Sequence, residues 1–198
     1  MNNNAHAPIG LFDSGIGGLT VANAILEQLP NESLIYFGDT AHLPYGDKSA
    51  DTIRYFTKTI GSFLLSKECK IIVIACNTAS SVAFDMLENM AGDKAYVFNV
   101  IDAVVDEIIR KKYRKVGVIG TLGTINSNAY KTKIKKKDAE VEVQQLATPL
   151  LAPMIESGFV DGQISHLVIE EYLNAPELQD IETLILACTH YPLIKKEI

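Results

Sequence analysis

The chain has 198 residues, of which 47% are hydrophobic and 21% charged, and a formal net charge of −6. That length holds one large domain or two small ones, and the composition is that of an ordinary globular protein. The negative balance argues against nucleic acid or an acidic membrane surface as the main partner. No apolar run approaches the roughly 18 residues needed to span a bilayer.

Residues 1–8, Met-Asn-Asn-Asn-Ala-His-Ala-Pro, have no basic start and no long apolar stretch. They read as a flexible lead, not a signal peptide. Short aliphatic runs then follow at 9–12, 34–37, 71–75, 97–100, 116–120, 141–146 and 184–187. None alternates with polar residues, as expected for parallel strands buried on both faces. Helical spacing of apolar residues predicts helices over 18–29, 51–65, 79–90, 103–112 and 161–172, the first stopped by Pro30. The lysine-rich stretch 131–137 reads as a solvated helix face. Strand–helix alternation means an α/β fold with right-handed crossovers.

The strands repeat. Those beginning at 9, 34 and 71 are echoed by those beginning at 116, 141 and 184, with the first interval identical in the two halves. The expected architecture is therefore two similar lobes, 9–101 and 102–198, each a mostly parallel sheet flanked by helices. The carboxyl ends of their strands would line a cleft between them, and 102–114 would connect them.

The loops after these strands carry the chemistry. Asp13-Ser14-Gly15-Ile16-Gly17-Gly18 follows the first strand. Its glycines allow a tight turn and leave backbone N–H groups for an anion, but the spacing is not a dinucleotide fingerprint. In the loop from Asp39 to Gly46, Pro44 and Gly46 fix a turn and Tyr45 offers a hydroxyl. Cys76 ends the third strand and opens Cys-Asn-Thr-Ala-Ser; Cys188 ends the seventh and opens Cys-Thr-His-Tyr-Pro. Open α/β sheets bind ligands at such strand ends. Asn77, Thr78, Thr189 and nearby N–H groups can hold a carboxylate, and a helix N-terminus after Cys76 favours thiolate near neutral pH. His190 and Asp13 are candidate proton-handling neighbours. Thr121 adds a hydroxyl from the second lobe, and Glu156 is equally suited to the cleft or to solvent. Cys69, at a helix–strand junction, reads as a small buried hydrophobe. Three cysteines without framework spacing suit a reducing cytoplasm. Two thiols in matching places can work on two faces of one substrate, as in a two-base racemase or epimerase.

Four segments, 13–18, 44–46, 75–80 and 188–192, resemble the glutamate racemases in order and spacing, from about Ile9 onward. The resemblance implies a cofactor-independent enzyme that interconverts L- and D-glutamate and supplies D-glutamate for bacterial peptidoglycan. Cys76 and Cys188 would be the catalytic acid/bases, with Asp13 assisting Cys76, His190 assisting Cys188, and Glu156 as the second-lobe acid. Ser14, Tyr45, Gly46, Asn77, Thr78, Thr189 and His190 would contact the substrate. A homodimer without metal, nucleic-acid or membrane partners is expected. Members of the family continue past the position of Ile198 and return to the first lobe, so an incomplete and less stable first lobe is expected. The competing readings are an aspartate or other amino-acid racemase, a truncated inactive relative, a non-catalytic binding module, a cysteine hydrolase using one thiol with His190, and a zinc site from Cys76, Cys188 and His190.

Overall fold

The computed structural model describes residues 5–198. Residues 1–4 of the expected flexible lead lie outside them. Near its end Ala7 is buried, and the Pro8 carbonyl accepts the Lys70 N–H at 3.0 Å. The described chain divides into two units, one ending at Val100 and the other spanning Ile101–Ile198.

The first unit contains β1 (Ile9–Asp13), α1 (Leu19–Gln28), β2 (Leu34–Gly38), α2 (Ala50–Ser66), β3 (Ile71–Ile74), α3 (Asn77–Ala91) and β4 (Tyr96–Asn99). Its sheet has the order β2-β1-β3-β4, with every pairing parallel. Because β1 is interior, all five of its residues are buried, which explains the unbroken apolar run. Leu11 packs into a layer with Ala22 and Ile25 of α1. Its neighbour Phe12 joins the opposite layer, with Ile53, Ile60 and Leu64 of α2 and Leu87 of α3. Each such side chain contributes about 1.5–3 kcal/mol when fully buried. Helices α2 and α3 meet closely at Gly61, where a methyl group would lie 2.3 Å from Leu87 Cδ1. That approach explains a glycine inside a helix, where it costs about 1 kcal/mol relative to alanine.

The second unit contains all but the first residue of α4 (Val100–Lys111), then β5 (Lys115–Gly120), α5 (Leu122–Asn126), α6 (Ala129–Lys137), β6 (Glu142–Ala147), α7 (Leu151–Glu156), α8 (Gln163–Leu173) and β7 (Thr183–Ala187). Short 3₁₀ turns cover Pro176–Leu178 and Tyr191–Ile194. The sheet order is β6-β5-β7, again parallel. In each unit the first strand is central, the second lies on one side of it and the third on the other. The expected connecting segment forms most of α4, and its Ile101, Val105 and Ile108 pack into the second unit's own core.

The lysine-rich stretch forms α6. Tyr130 and Ile134 point inward, while Lys133 and Lys137 pair with Asp102 and Asp106 of α4. Both rows have i,i+4 spacing, so two helical turns match two helical turns. These pairs are partly exposed and stabilise by at most about 1 kcal/mol each.

Candidate active site

In the first unit the site is built around Asp13 and Cys76. Asp13 ends β1 and is wholly buried, and its Oδ2 accepts the N–H groups of Gly15 and Gly18, each at 3.1 Å. The sequence reading left the loop's N–H groups for an outside anion. Instead, two of them go to the loop's own carboxylate, which is the nearest anion. Gly18 is required by this packing, since a methyl group there would lie 2.5 Å from Asp13 Cβ. Tyr36 of β2 donates its hydroxyl to the Gly15 carbonyl at 2.7 Å.

Cys76 follows β3 and caps α3 in extended conformation, with Sγ accepting the Ala79 N–H at 3.5 Å. Its thiol is pushed up to about 12, first by burial and then by the Asp13 carboxylate. The Ala79 and Thr78 N–H groups and the Ser14 side chain pull the other way but do not prevail. Thiolate near neutral pH was the expectation from the helix N-terminus. Burial and an adjacent negative charge outweigh that dipole, so Cys76 holds its proton. Ser14, Asn77 and Thr78 are all buried next to it in sequence or space.

Tyr45 and Gly46 are buried. The Tyr45 hydroxyl donates to Asp39 Oδ2 at 2.6 Å, while Asp39 Oδ1 lies 2.7 Å from His42 Nδ1. Burial and the Asp39 carboxylate hold the Tyr45 hydroxyl far above the usual tyrosine range. The hydroxyl expected to face a substrate is thus engaged by Asp39, a partner the sequence did not single out. Cys69 is buried in the first unit's core near Gly10, and burial raises its thiol.

In the second unit Cys188 directly follows β7, and His190 precedes the 3₁₀ turn Tyr191–Ile194. Cys188 Sγ lies 3.6 Å from His190 Nδ1, and His190 Nε2 lies 2.5 Å from Glu156 Oε1. The structure thereby brings together three residues separated by up to 34 positions, and places Glu156, at the end of α7, against the imidazole. A thiol can pass its proton to this imidazole while the carboxylate stabilises the resulting charge. Thr189 is buried beside them, and Thr121 caps α5 by accepting the Thr124 N–H at 3.2 Å.

Two residues missed in the sequence anchor the Cys188 loop. The Tyr191 hydroxyl lies 2.7 Å from Thr148 Oγ1, and Thr148 Oγ1 donates to the Gly120 carbonyl at 3.2 Å. Tyr191 is fully buried, so the loop is tied to the end of β5. A Thr–Tyr pair so distant in sequence leaves no local signal. Among the described residues no cluster of three or more His, Cys, Asp or Glu side chains is placed to hold a metal ion. No helix among them is long and apolar enough to cross a membrane.

Known proteins share both sequence and fold with this chain. A glutamate racemase of Chlorobaculum parvum is 47% identical over 193 residues, covering 97% of this chain and 71% of its own length. The crystal structure of glutamate racemase from Francisella tularensis in complex with D-glutamate matches with a TM-score of 0.92 at 48% identity, covering 98% of this chain and 72% of that one. Glutamate racemase from Thermus thermophilus in complex with beta-chloro-D-alanine matches with a TM-score of 0.84 at 43% identity, covering 98% and 71%. Residues 9–198 match the family described as Asp/Glu/Hydantoin racemase. With that match running from β1 to the last residue, and with relatives sharing nearly half of its amino acids, this chain belongs to the Asp/Glu/hydantoin racemase family.

Proposed function

We propose that this protein interconverts L- and D-glutamate by two-base proton transfer, with Cys76 and Cys188 as the two groups. The observation that carries the reading is the pair of thiols at corresponding strand ends of two like-built sheets, each beside its own proton-handling side chains. The relatives of high identity are glutamate racemases, one of them solved with D-glutamate, so glutamate is preferred over aspartate as substrate.

Racemisation removes the α-proton from one face and returns a proton to the other. One thiolate accepts the proton as the other thiol donates, and the roles exchange in the reverse direction. Cys76 holds its proton in this environment and is ready as the acid. Cys188 becomes a base by passing its proton to His190, whose other nitrogen Glu156 engages. Ser14, Asn77, Thr78, Thr121 and Thr189 supply hydroxyl and amide groups for the substrate's carboxylates. Tyr45 and Gly46 contribute through their backbone, since Asp39 takes the Tyr45 hydroxyl. The scheme uses no metal or organic cofactor. D-glutamate made this way would serve peptidoglycan synthesis in the cytoplasm. We take the working assembly to be a homodimer; Ile164 and Leu167 lie exposed one turn apart on α8, apolar surface that a second copy can cover.

Circular dichroism of L-glutamate incubated with the protein tests the reaction directly. The signal should decay to zero, because enantiomers are equally stable. In D₂O, deuterium should enter the product before the remaining substrate. A constant signal removes the function. Equally early label in substrate and product removes the two-base scheme. Light scattering of the full chain checks the dimer.

A further inference from the structure

The Tyr36 hydroxyl touches the site without a part in the scheme above. The sheet register puts it there: β1 and β2 run parallel, with Leu11 opposite Tyr36 and Asp13 opposite Gly38. The Tyr36 side chain packs in the layer formed by Leu11, Ala22 and Ala75. From that base its hydroxyl reaches up and donates to the Gly15 carbonyl at 2.7 Å. The same residue's N–H donates to Asp13 Oδ2, as does the N–H of Gly18. A methyl group at Gly18 would lie 3.0 Å from the Tyr36 hydroxyl, so that hydroxyl also borders the second donor. Tyr36, Gly15, Gly18 and Asp13 thus form one hydrogen-bonded unit under the loop.

A ring filling space needs no hydroxyl, and phenylalanine would occupy the same volume. What the hydroxyl adds is restraint on a loop whose glycines otherwise allow many backbone conformations. Phe12 pairs with Ile74 and its carbonyl accepts the Ala75 N–H, so the end of β1 that carries Asp13 lies against the end of β3 that leads into Cys76. The Asp13 charge acts on Cys76, and the charges of both reach Tyr36 and Tyr45 as well. Any movement of the Gly15 peptide moves a donor of Asp13 and with it the field at the thiol.

We propose that Tyr36 is a positioning residue for Cys76: by holding the Gly15 carbonyl it fixes the Asp13 carboxylate beside the thiol. The proposal rests on the reading of Cys76 as one of the two proton-transfer groups. It predicts that loss of the Tyr36 hydroxyl frees Asp13 to shift toward water and makes the Cys76 thiol easier to ionise.

The test uses Tyr36→Phe, Asp13→Asn and the double variant in the full chain. Iodoacetamide is the probe, and peptide mass spectrometry separates Cys76 from Cys69 and Cys188. Well below a thiol's midpoint its thiolate fraction rises about tenfold per unit fall in pKa. Tyr36→Phe should therefore speed Cys76 alkylation at about pH 8 roughly threefold to tenfold, with no comparable change at Cys188. The kcat for glutamate should fall by about the same factor, that of one ordinary hydrogen bond, with KM within about twofold. Asp13→Asn should speed alkylation at least as much, and the double variant should add nothing, because both changes act through one group. A lower melting temperature with alkylation and kcat unchanged would overturn the proposal and leave Tyr36 a packing residue. Additive effects in the double variant would also overturn it. If the unaltered protein fails to racemise glutamate, the function falls, while alkylation still decides what Tyr36 does to Cys76.

Discussion

Glu156→Gln isolates the charge that stands behind Cys188. Gln keeps the length of the side chain and an oxygen that can accept the His190 N–H, so the geometry survives while the charge goes. In the structure Oε1 lies 2.5 Å from Nε2, with the His190 side chain 8% exposed and the Glu156 side chain 27% exposed. Both groups are thus largely withdrawn from water, and the bond becomes charge-assisted on both sides once His190 takes the thiol's proton. Hydrogen bonds to charged groups contribute about 1.5–3 kcal/mol. At about 1.36 kcal/mol per decade, kcat should fall roughly 10- to 100-fold. KM should change little, because the carboxylate acts on the imidazole and not on the substrate. The assay is the initial rate of racemisation from each enantiomer, followed by circular dichroism. For any variant kcat/KM must be equal in the two directions, since the equilibrium constant of a racemisation is unity; this checks the data internally. Unchanged kcat, or a rise in KM alone, would refute proton transfer from Cys188 to His190 with Glu156 stabilising the charged imidazole.

The other expectations follow from the same environments. Cys76→Ala and Cys188→Ala should each abolish racemisation, because general acid–base groups contribute about 10² to 10⁴-fold and the cycle needs both. Cys69→Ala should keep turnover near native, because Cys69 lies in the core; native turnover in Cys76→Ala would defeat the role assignment. Stability should fall with alkaline pH: the thiol of Cys76 and the hydroxyls of Tyr36, Tyr45 and Tyr130 all have raised values in the fold. That contribution is complete below the ordinary values of 9.0 and 10.0 and is lost as pH rises through the raised ones. A melting temperature that does not decline above about pH 9 would contradict it.

The strands were the most legible part of this sequence, because an interior parallel strand such as β1 is apolar at nearly every position. Some helices were less so. The α7 segment is only six residues long and carries Pro153, so neither length nor periodicity marks it. Helix α3 starts two residues before the apolar pattern does, because Cys76 itself caps it; cysteine is not among the side chains that signal a cap. The candidate site was legible where a residue sits at a strand end, as Asp13, Cys76 and Cys188 do. It was illegible where a role depends on distant chain. Nothing near Glu156 in sequence announces His190, and nothing near Asp13 announces Tyr36. The electrostatics were the hardest to read. A helix N-terminus is visible as a motif, but the burial that overrides it comes from packing across the whole unit.

The two thiols occupy corresponding places in the repeat, yet their surroundings differ in kind. Cys76 is buried with a carboxylate nearby, and these outweigh the donors that would favour its thiolate and leave it protonated. Cys188 has an imidazole nearby, backed by a second carboxylate. A carboxylate beside a thiol favours the thiol; an imidazole beside a thiol can take its proton and favours the thiolate once it has. A two-base racemisation requires one thiol and one thiolate at the start of each turnover. Two identical environments would leave that division to chance, with both thiols protonated or both ionised in part of the population. In the proposed scheme the unequal neighbours would make Cys76 the first acid and Cys188 the first base, and each turnover would invert the assignment. The cost falls on the return direction, where the protons start on the less favoured partners. Because kcat/KM must be equal in the two directions, that cost cannot appear there, and any difference in kcat between the enantiomers should be matched by an equal difference in KM.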